Sequence, residues 1–324
     1  MNYKKSEQLL DRALKSIPLA SQTFSKSLTQ YPRGVSPFFI EKGKGAKVWD
    51  VDGNEYIDFV NSLAAVTLGY CDKNVDEAVQ KQMQNGVTFS LPHCLEMEVA
   101  EKLIDIIPCA EKVRFAKNGT DATSASIRIA RAHTGKEHIA VCGYHGWQDW
   151  YIGSTTRDLG VPKAVKELTH KFEYNNIESL EKIFQEQKLA CVIMEPMNVE
   201  YPQDNFLEKV KALVHKNNAL LIFDETITGF RYSLGGAQAL FDVIPDLATF
   251  GKGMANGFPL SAVVGSNEIM QKVEDIFFSG TFGGETLSLA AANAVIDKYK
   301  KDNVPKYLND LGNYLLKKLN QLII

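Results

Sequence analysis

The spacing of apolar positions changes along this chain, and the changes mark its organisation. Residues 1–30 read as one amphipathic helix and a polar connector. Residues 37–60 read as a small antiparallel unit. Its strands are Phe38-Phe39-Ile40 and Ala46-Lys47-Val48-Trp49, and after a turn at Asp52-Gly53-Asn54 the strand Tyr56-Ile57-Asp58-Phe59 returns. From about residue 74, helical periodicity alternates with short apolar runs. Helices are predicted at 74–84, 95–106, 121–133, 177–187, 204–217 and 267–274, and again at 286–300 and 305–322. Strands are predicted at Lys112–Ala116, His138–Cys142, Ala190–Met194, Leu220–Phe223, Leu247–Phe250 and Ser261–Val264. Several of these are continuous Val/Ile/Leu/Ala runs, the pattern of strands covered by helices on both faces. The reading is an α/β fold with a largely parallel sheet, whose ligands bind beyond the carboxyl ends of the strands. Three parts are expected: an N-terminal helix and small antiparallel segment over 1–61, a large domain over 62–300, and the start of a C-terminal domain over 301–324. The apolar end Asn320-Gln321-Leu322-Ile323-Ile324 predicts that further sequence follows and that this last domain is incomplete.

Composition narrows the classes. The chain has 324 residues, 45% hydrophobic, enough for a large core. A formal net charge of −3 and the lack of any basic stripe argue against nucleic-acid binding. No apolar run is long enough to span a bilayer, and Met1–Lys15 lacks the apolar core of a signal peptide, so a cytoplasmic protein is expected. The five cysteines form no CxxC pair and the six histidines no cluster, so free thiols and no metal site are expected.

Chemistry-bearing residues gather where the predicted strands end. Asn118-Gly119-Thr120-Asp121 opens a helix, where Gly119 and Thr120 offer a phosphate seat or an ordinary helix cap. In Gly143-Tyr144-His145-Gly146, Tyr144 can stack on a heteroaromatic ring or close the core, and His145 reads as a turn donor. Glu195, before Pro196, is a positioning acid or a surface one. Asp224 ends five apolar residues, so its burial requires a cation: a protonated pyridine nitrogen, or Arg231 in a structural pair. Lys252, between two glycines, is either a reactive amine or a solvated loop lysine. Ser279-Gly280-Thr281-Phe282-Gly283-Gly284 offers a further hydroxyl or is a plain glycine turn. The lysine and the acid are 252 − 224 = 28 residues apart, room for one helical crossover. Together they are what pyridoxal 5'-phosphate chemistry needs: an amine for the Schiff base and an acid for the ring nitrogen.

In this order along the chain, these motifs resemble the class III pyridoxal-phosphate aminotransferases, with the look of the glutamate-1-semialdehyde aminomutase branch. The resemblance rests on Ala46-Lys47-Val48-Trp49-Asp50-Val51-Asp52-Gly53, Asn118-Gly119-Thr120-Asp121-Ala122, Tyr144-His145-Gly146, Asp224-Glu225-Thr226, Gly229-Phe230-Arg231, Gly251-Lys252 and Gly280-Thr281-Phe282. It implies a fold-type-I transferase with a seven-stranded type of sheet, working as a homodimer with shared active sites. Lys252 would carry the Schiff base and Asp224 face the ring nitrogen. Tyr144 would stack on the ring, while Gly119 and Thr120 bind the phosphate. Thr281 would reach the neighbouring subunit's phosphate, and Glu195 and Thr226 complete the cofactor set. Catalysis falls to Lys252, Asp224 and Tyr144.

Departures from that pattern lie in the substrate-facing loops. Arg33-Gly34-Val35-Ser36-Pro37-Phe38-Phe39 stands where the aminomutases have Gly-Gly-Val-Asn-Ser-Pro-Val-Arg, and Ser62-Leu63-Ala64 replaces Ser-Trp-Gly. Glu195-Pro196-Met197-Asn198-Val199-Glu200 lacks the usual glycines, and Glu285 replaces an asparagine. The expectation is therefore an aminotransferase that moves an amino group from an amino donor to a keto or aldehyde acceptor, with a place in bacterial surface-sugar biosynthesis. Its alternatives are an aminomutase, which keeps the amine on one skeleton, and a non-catalytic cofactor-binding or assembly fragment.

Overall fold

The computed structural model describes residues 1–322. Among the described residues ten strands form two sheets. The small one joins β1 (Ile40–Lys44), β2 (Lys47–Asp50) and β3 (Glu55–Ile57), all antiparallel. The large one contains β4 (Lys112–Ala116), β5 (His138–Cys142), β6 (Thr169–Lys171), β7 (Leu189–Met194), β8 (Leu220–Asp224), β9 (Leu247–Phe250) and β10 (Ser261–Gly265). Their order is β4-β10-β9-β8-β7-β5-β6. The pairs β6–β5, β5–β7, β7–β8 and β8–β9 are parallel, as the pattern predicts, while β10 runs antiparallel to both neighbours.

Helices cover both faces, which explains the continuous apolar runs. Val192, Met194, Leu221 and Phe223 point into one core with Leu103 and Leu289. Ile193 and Ile222 point into the other, with Ile129, Ile139 and Val263. Successive strand residues face opposite sides of a sheet, so covering both sides makes every position apolar. The helix Gly119–Thr134 packs on β7, β8, β9 and β10, and the helix Thr286–Asp302 packs on Lys73–Met83, on Cys94–Ile106 and on the turn after Lys252.

Several expected boundaries shift. The first strand starts at Ile40, because the hairpin turns at Gly45, where Lys44 pairs with Lys47. The N-terminal helix is confined to Lys4–Ala13, followed by two short 3-10 turns. The helix expected at 121–133 begins at Gly119, with the Asn118 amide donating to Asp121 Oδ2 at 2.8 Å. The three-residue edge strand β6 is too short for a periodic signal. The last helix spans Val304–Asn320, and the expectation drawn from the chain's final two residues lies outside the described residues. No helix among the described residues is long and apolar enough to cross a membrane.

Candidate active site

Cys142, Met194 and Phe223 lie in register across β5, β7 and β8, and Asp224 stands beside Thr249 of β9. The residues just beyond these strand ends therefore converge. Asp224 is buried, and its carboxylate accepts from the Thr226 amide at 3.1 Å and from the Thr249 hydroxyl at 2.9 Å. Its side-chain partners also include His145, whose Nδ1 lies 2.9 Å from Oδ2. Burial alone would raise the Asp224 pKa, but the hydrogen bond and charge of His145, with the Thr226 amide, bring it below the usual range. His145 Nε2 contacts the Cys142 carbonyl at 3.1 Å, and a carbonyl only accepts, so that nitrogen carries a proton.

This corrects two expectations. Arg231 is not the partner of Asp224: its Nε donates to the Ile227 carbonyl at 3.0 Å and its Nη2 to the Ala64 carbonyl at 2.7 Å. His145 is more than a turn donor, since the same ring contacts both the turn carbonyl of Cys142 and the Asp224 carboxylate. A histidine after a stacking aromatic gave a signal for this, but its target 79 residues away is visible only in three dimensions.

Lys252 follows β9 and is half-buried, with φ of 44°, a left-handed conformation costly for a non-glycine residue. Burial depresses its pKa, the charges of Asp224 and Glu195 oppose that shift, and Arg231 reinforces it. Glu195 is buried, not a surface acid. Burial and the Asp224 charge raise its pKa, against the Tyr144 amide, His145 and Asn198. Its Oε2 accepts from the Tyr144 amide at 3.0 Å and from Asn198 Nδ2 at 2.9 Å. A Cβ on Gly143 would lie 2.5 Å from that oxygen, so only glycine permits this approach. The Tyr144 ring is 61% exposed and stands edge-on to Tyr151, leaving a face free for an aromatic ligand. Its phenol pKa is raised by partial burial and by the Asp224 charge.

The first turn of the helix Gly119–Thr134 completes one side. Thr120 is buried, and its hydroxyl accepts from the Trp147 amide at 3.3 Å. A Cβ on Gly146 would lie 2.3 Å from that hydroxyl, and one on Gly119 would lie 3.1 Å from Thr226 Cγ2. Thr226 Oγ1 is buried with no hydrogen-bond partner. An orphaned hydroxyl beside a helix N-terminus is the arrangement an anionic group would satisfy. The residues present thus fit a phosphorylated aromatic cofactor: a glycine-lined anion seat, an open aromatic face, a buried acid and a depressed amine. Among the described residues no cluster of three or more His, Cys, Asp or Glu side chains could hold a metal ion.

Thr281 is not gathered into this group. It is exposed, on a loop lining a cavity of about 650 Å³ together with Phe115, Asp121, Ser124 and Phe282. The loop is tied back by Glu285, whose Oε2 lies 3.0 Å from Lys117 Nζ and which caps the helix Thr286–Asp302. Arg33 is also distant in role: it pairs with Glu7 and Asp11 of the first helix. Glu225, next to Asp224, is fully buried and faces away, accepting the Ala237 and Gln238 amides at 2.7 and 2.9 Å.

One segment escaped the sequence entirely. Asn61, Ser62, Leu63 and Ala64 all have positive φ, of 53°, 50°, 57° and 64°. Consecutive left-handed residues other than glycine cost about 1–2 kcal/mol each, so this turn must be imposed by its surroundings. Asp58 accepts the amides of Val60 and Asn61 at 3.0 Å each and that of Ser62 at 3.2 Å.

Fold and site together define a pyridoxal-phosphate-dependent aminotransferase, and the chain belongs to the class-III aminotransferases, whose family pattern it matches over residues 30–323. Among its relatives, glutamate-1-semialdehyde 2,1-aminomutase of Francisella philomiragia is 39% identical, covering 99% of this chain and 78% of that protein. The 3-aminobutyryl-CoA aminotransferase of Cloacimonas acidaminovorans is 40% identical over 94% of this chain and 75% of its own length. An omega-transaminase from Sphaerobacter thermophilus has a similar structure, with a TM-score of 0.83, 30% identity and coverage of 91% of this chain and 72% of that one. The FumI protein of Sphingopyxis sp. MTA144, in its PLP internal aldimine form, gives a TM-score of 0.86 at 29% identity, covering 92% and 73%.

Proposed function

We propose that this chain is an intermolecular aminotransferase, taking an amino group from an amino donor and passing it to a separate keto or aldehyde acceptor. The observation that carries the reading is Lys252, a depressed amine, beside the buried pair Asp224–His145. The cofactor, when bound, supplies an electron sink for the carbanion formed at the substrate. Lys252 holds the cofactor and afterwards moves the proton as base and acid. Asp224, kept ionised by His145, is suited to hold a proton on the ring nitrogen. Tyr144 offers the stacking face. Gly119, Thr120 and Thr226 supply amides and hydroxyls for the phosphate, and Glu195 fixes the Tyr144 backbone. Thr281, exposed on its loop, is suited to reach the phosphate in a second copy, so the reading includes a homodimer with shared sites in the cytoplasm.

Aminomutase activity is the second reading, favoured by the Francisella relative. The loops at Ser62–Ala64, Met197–Glu200 and Glu285 favour transfer between molecules. The named relatives give no support for a surface-sugar pathway. Borohydride reduction of the cofactor-loaded protein should fix the label on Lys252, and a panel of amino donors should give at most one equivalent of keto product per site without a keto acceptor and multiple turnovers only when one is added. Turnover by Lys252→Ala at the wild-type rate would sink the reading. Many turnovers without an acceptor, giving an isomer of the donor that keeps its amine, would establish the aminomutase instead.

A further inference from the structure

We infer that Arg231 is a positioning residue: with Asp58 it clamps the left-handed turn Asn61–Ala64 as a fixed wall beside the Lys252 loop. The turn sits between two anchors. On its N-terminal side Asp58 takes the amides of Val60, Asn61 and Ser62, and its Oδ2 also accepts from the Tyr70 hydroxyl at 2.6 Å. On its C-terminal side Arg231 reaches the Ala64 carbonyl at 2.7 Å while its Nε holds Ile227. Arg231 has no carboxylate partner among the described residues, so its guanidinium is committed to these two carbonyls. Its fork makes both bonds from one rigid plane, which a lysine cannot reproduce.

The residues after the turn are fastened to the lysine loop. Asn256 Oδ1 accepts the Leu68 amide at 2.8 Å, and its Nδ2 donates to the Gly69 carbonyl at 3.1 Å. A Cβ on Gly253, next to Lys252, would lie 2.6 Å from Thr67 Oγ1. The turn is thus strained, clamped at both ends and attached to the segment that presents the amine. Strained backbone persists only where its surroundings over-determine it, and a wall so held sets the size of amine that reaches Lys252.

The inference rests on the proposed cofactor at Lys252, and the test separates the two. Methoxyamine and O-benzylhydroxylamine, a small and a large carbonyl reagent, are reacted with the cofactor-loaded protein, and the loss of its visible band is followed. Arg231→Lys should change the ratio of the two rates by about threefold or more, chiefly by speeding the large reagent. Ser62→Val, which forces a β-branched residue into positive φ, should move the ratio the same way with Arg231 intact. Ser62→Gly should raise the melting temperature of the cofactor-free chain and, combined with Arg231→Lys, restore the ratio towards wild type. An unchanged ratio in both Arg231→Lys and Ser62→Val overturns the inference. So does an equal slowing of both reagents in step with lost stability, the mark of a merely structural arginine. A wild-type protein that forms no visible band overturns the cofactor reading, and this inference with it.

Discussion

Lys252 and Thr226 show how single residues carry unspent free energy into the site. A lysine with a depressed pKa binds its proton less readily folded than unfolded. Between the folded pKa and the unfolded value near 10.5, the unfolded chain holds more protons, so stability rises with pH across that window. Without cofactor, Lys252→Met should therefore melt at a higher temperature than wild type at pH 7, and the gap should close as pH approaches 10.5. A gap independent of pH would show that packing, not charge, is responsible. Thr226 argues in parallel. Its hydroxyl is buried without a partner. Leaving such a group unpaired costs about 1–3 kcal/mol. Thr226→Val should leave the cofactor-free chain as stable as wild type or more so, while weakening cofactor binding by about tenfold, roughly one hydrogen bond to a charged group. Fluorescence titration with pyridoxal phosphate reads the second effect and thermal melting the first.

Among the elements, the junction of β4 with the helix Thr286–Asp302 is held by one ion pair. Lys117 and Glu285 are largely buried, with side-chain exposures of 18% and 12%. Glu285 also accepts the amides of Leu287 and Ser288 as the helix cap. Burial raises its pKa, yet the contacts with Ser288, Lys117 and Leu287 bring it below the usual value. Removing one partner strands the other charge at a cost of about 3–5 kcal/mol in a fully buried pair, and less here. Lys117→Ala should therefore lower the denaturation midpoint more than the double variant Lys117→Ala/Glu285→Gln does, because the double removes the stranded charge. Additive losses in a denaturant double-mutant cycle would show that the two residues do not act as a pair.

For the whole molecule, cofactor binding to the folded chain alone should add stability by mass action, about 2.7 kcal/mol at a hundred times Kd. The melting temperature should climb with pyridoxal phosphate concentration, and at a hundred times the wild-type Kd the climb should be about halved in Thr226→Val. If Thr281 completes a second copy's site, that climb should also weaken as the protein is diluted below its dimer dissociation constant, and a concentration-independent shift would argue for a self-contained site.

At this scale the division between sequence and structure is clear. The continuous runs Ala190–Met194 and Leu220–Phe223 announce their strands because burial on both faces leaves its mark on every position. Lys252, Asp224, Gly119 and Thr120 could be singled out because they sit at predicted strand ends in an order along the chain, although each alone has an ordinary structural use. These features are local, written in neighbouring residues. The antiparallel β10, the His145–Asp224 pair and the Arg231 bond to Ala64 join residues far apart in the chain, and no spacing encodes them. The left-handed turn at Asn61–Ala64 runs against the propensity of its own residues. Asp58 holds its start through local hydrogen bonds, and the tertiary bond from Arg231 to Ala64 holds its end, in a conformation that these side chains disfavour.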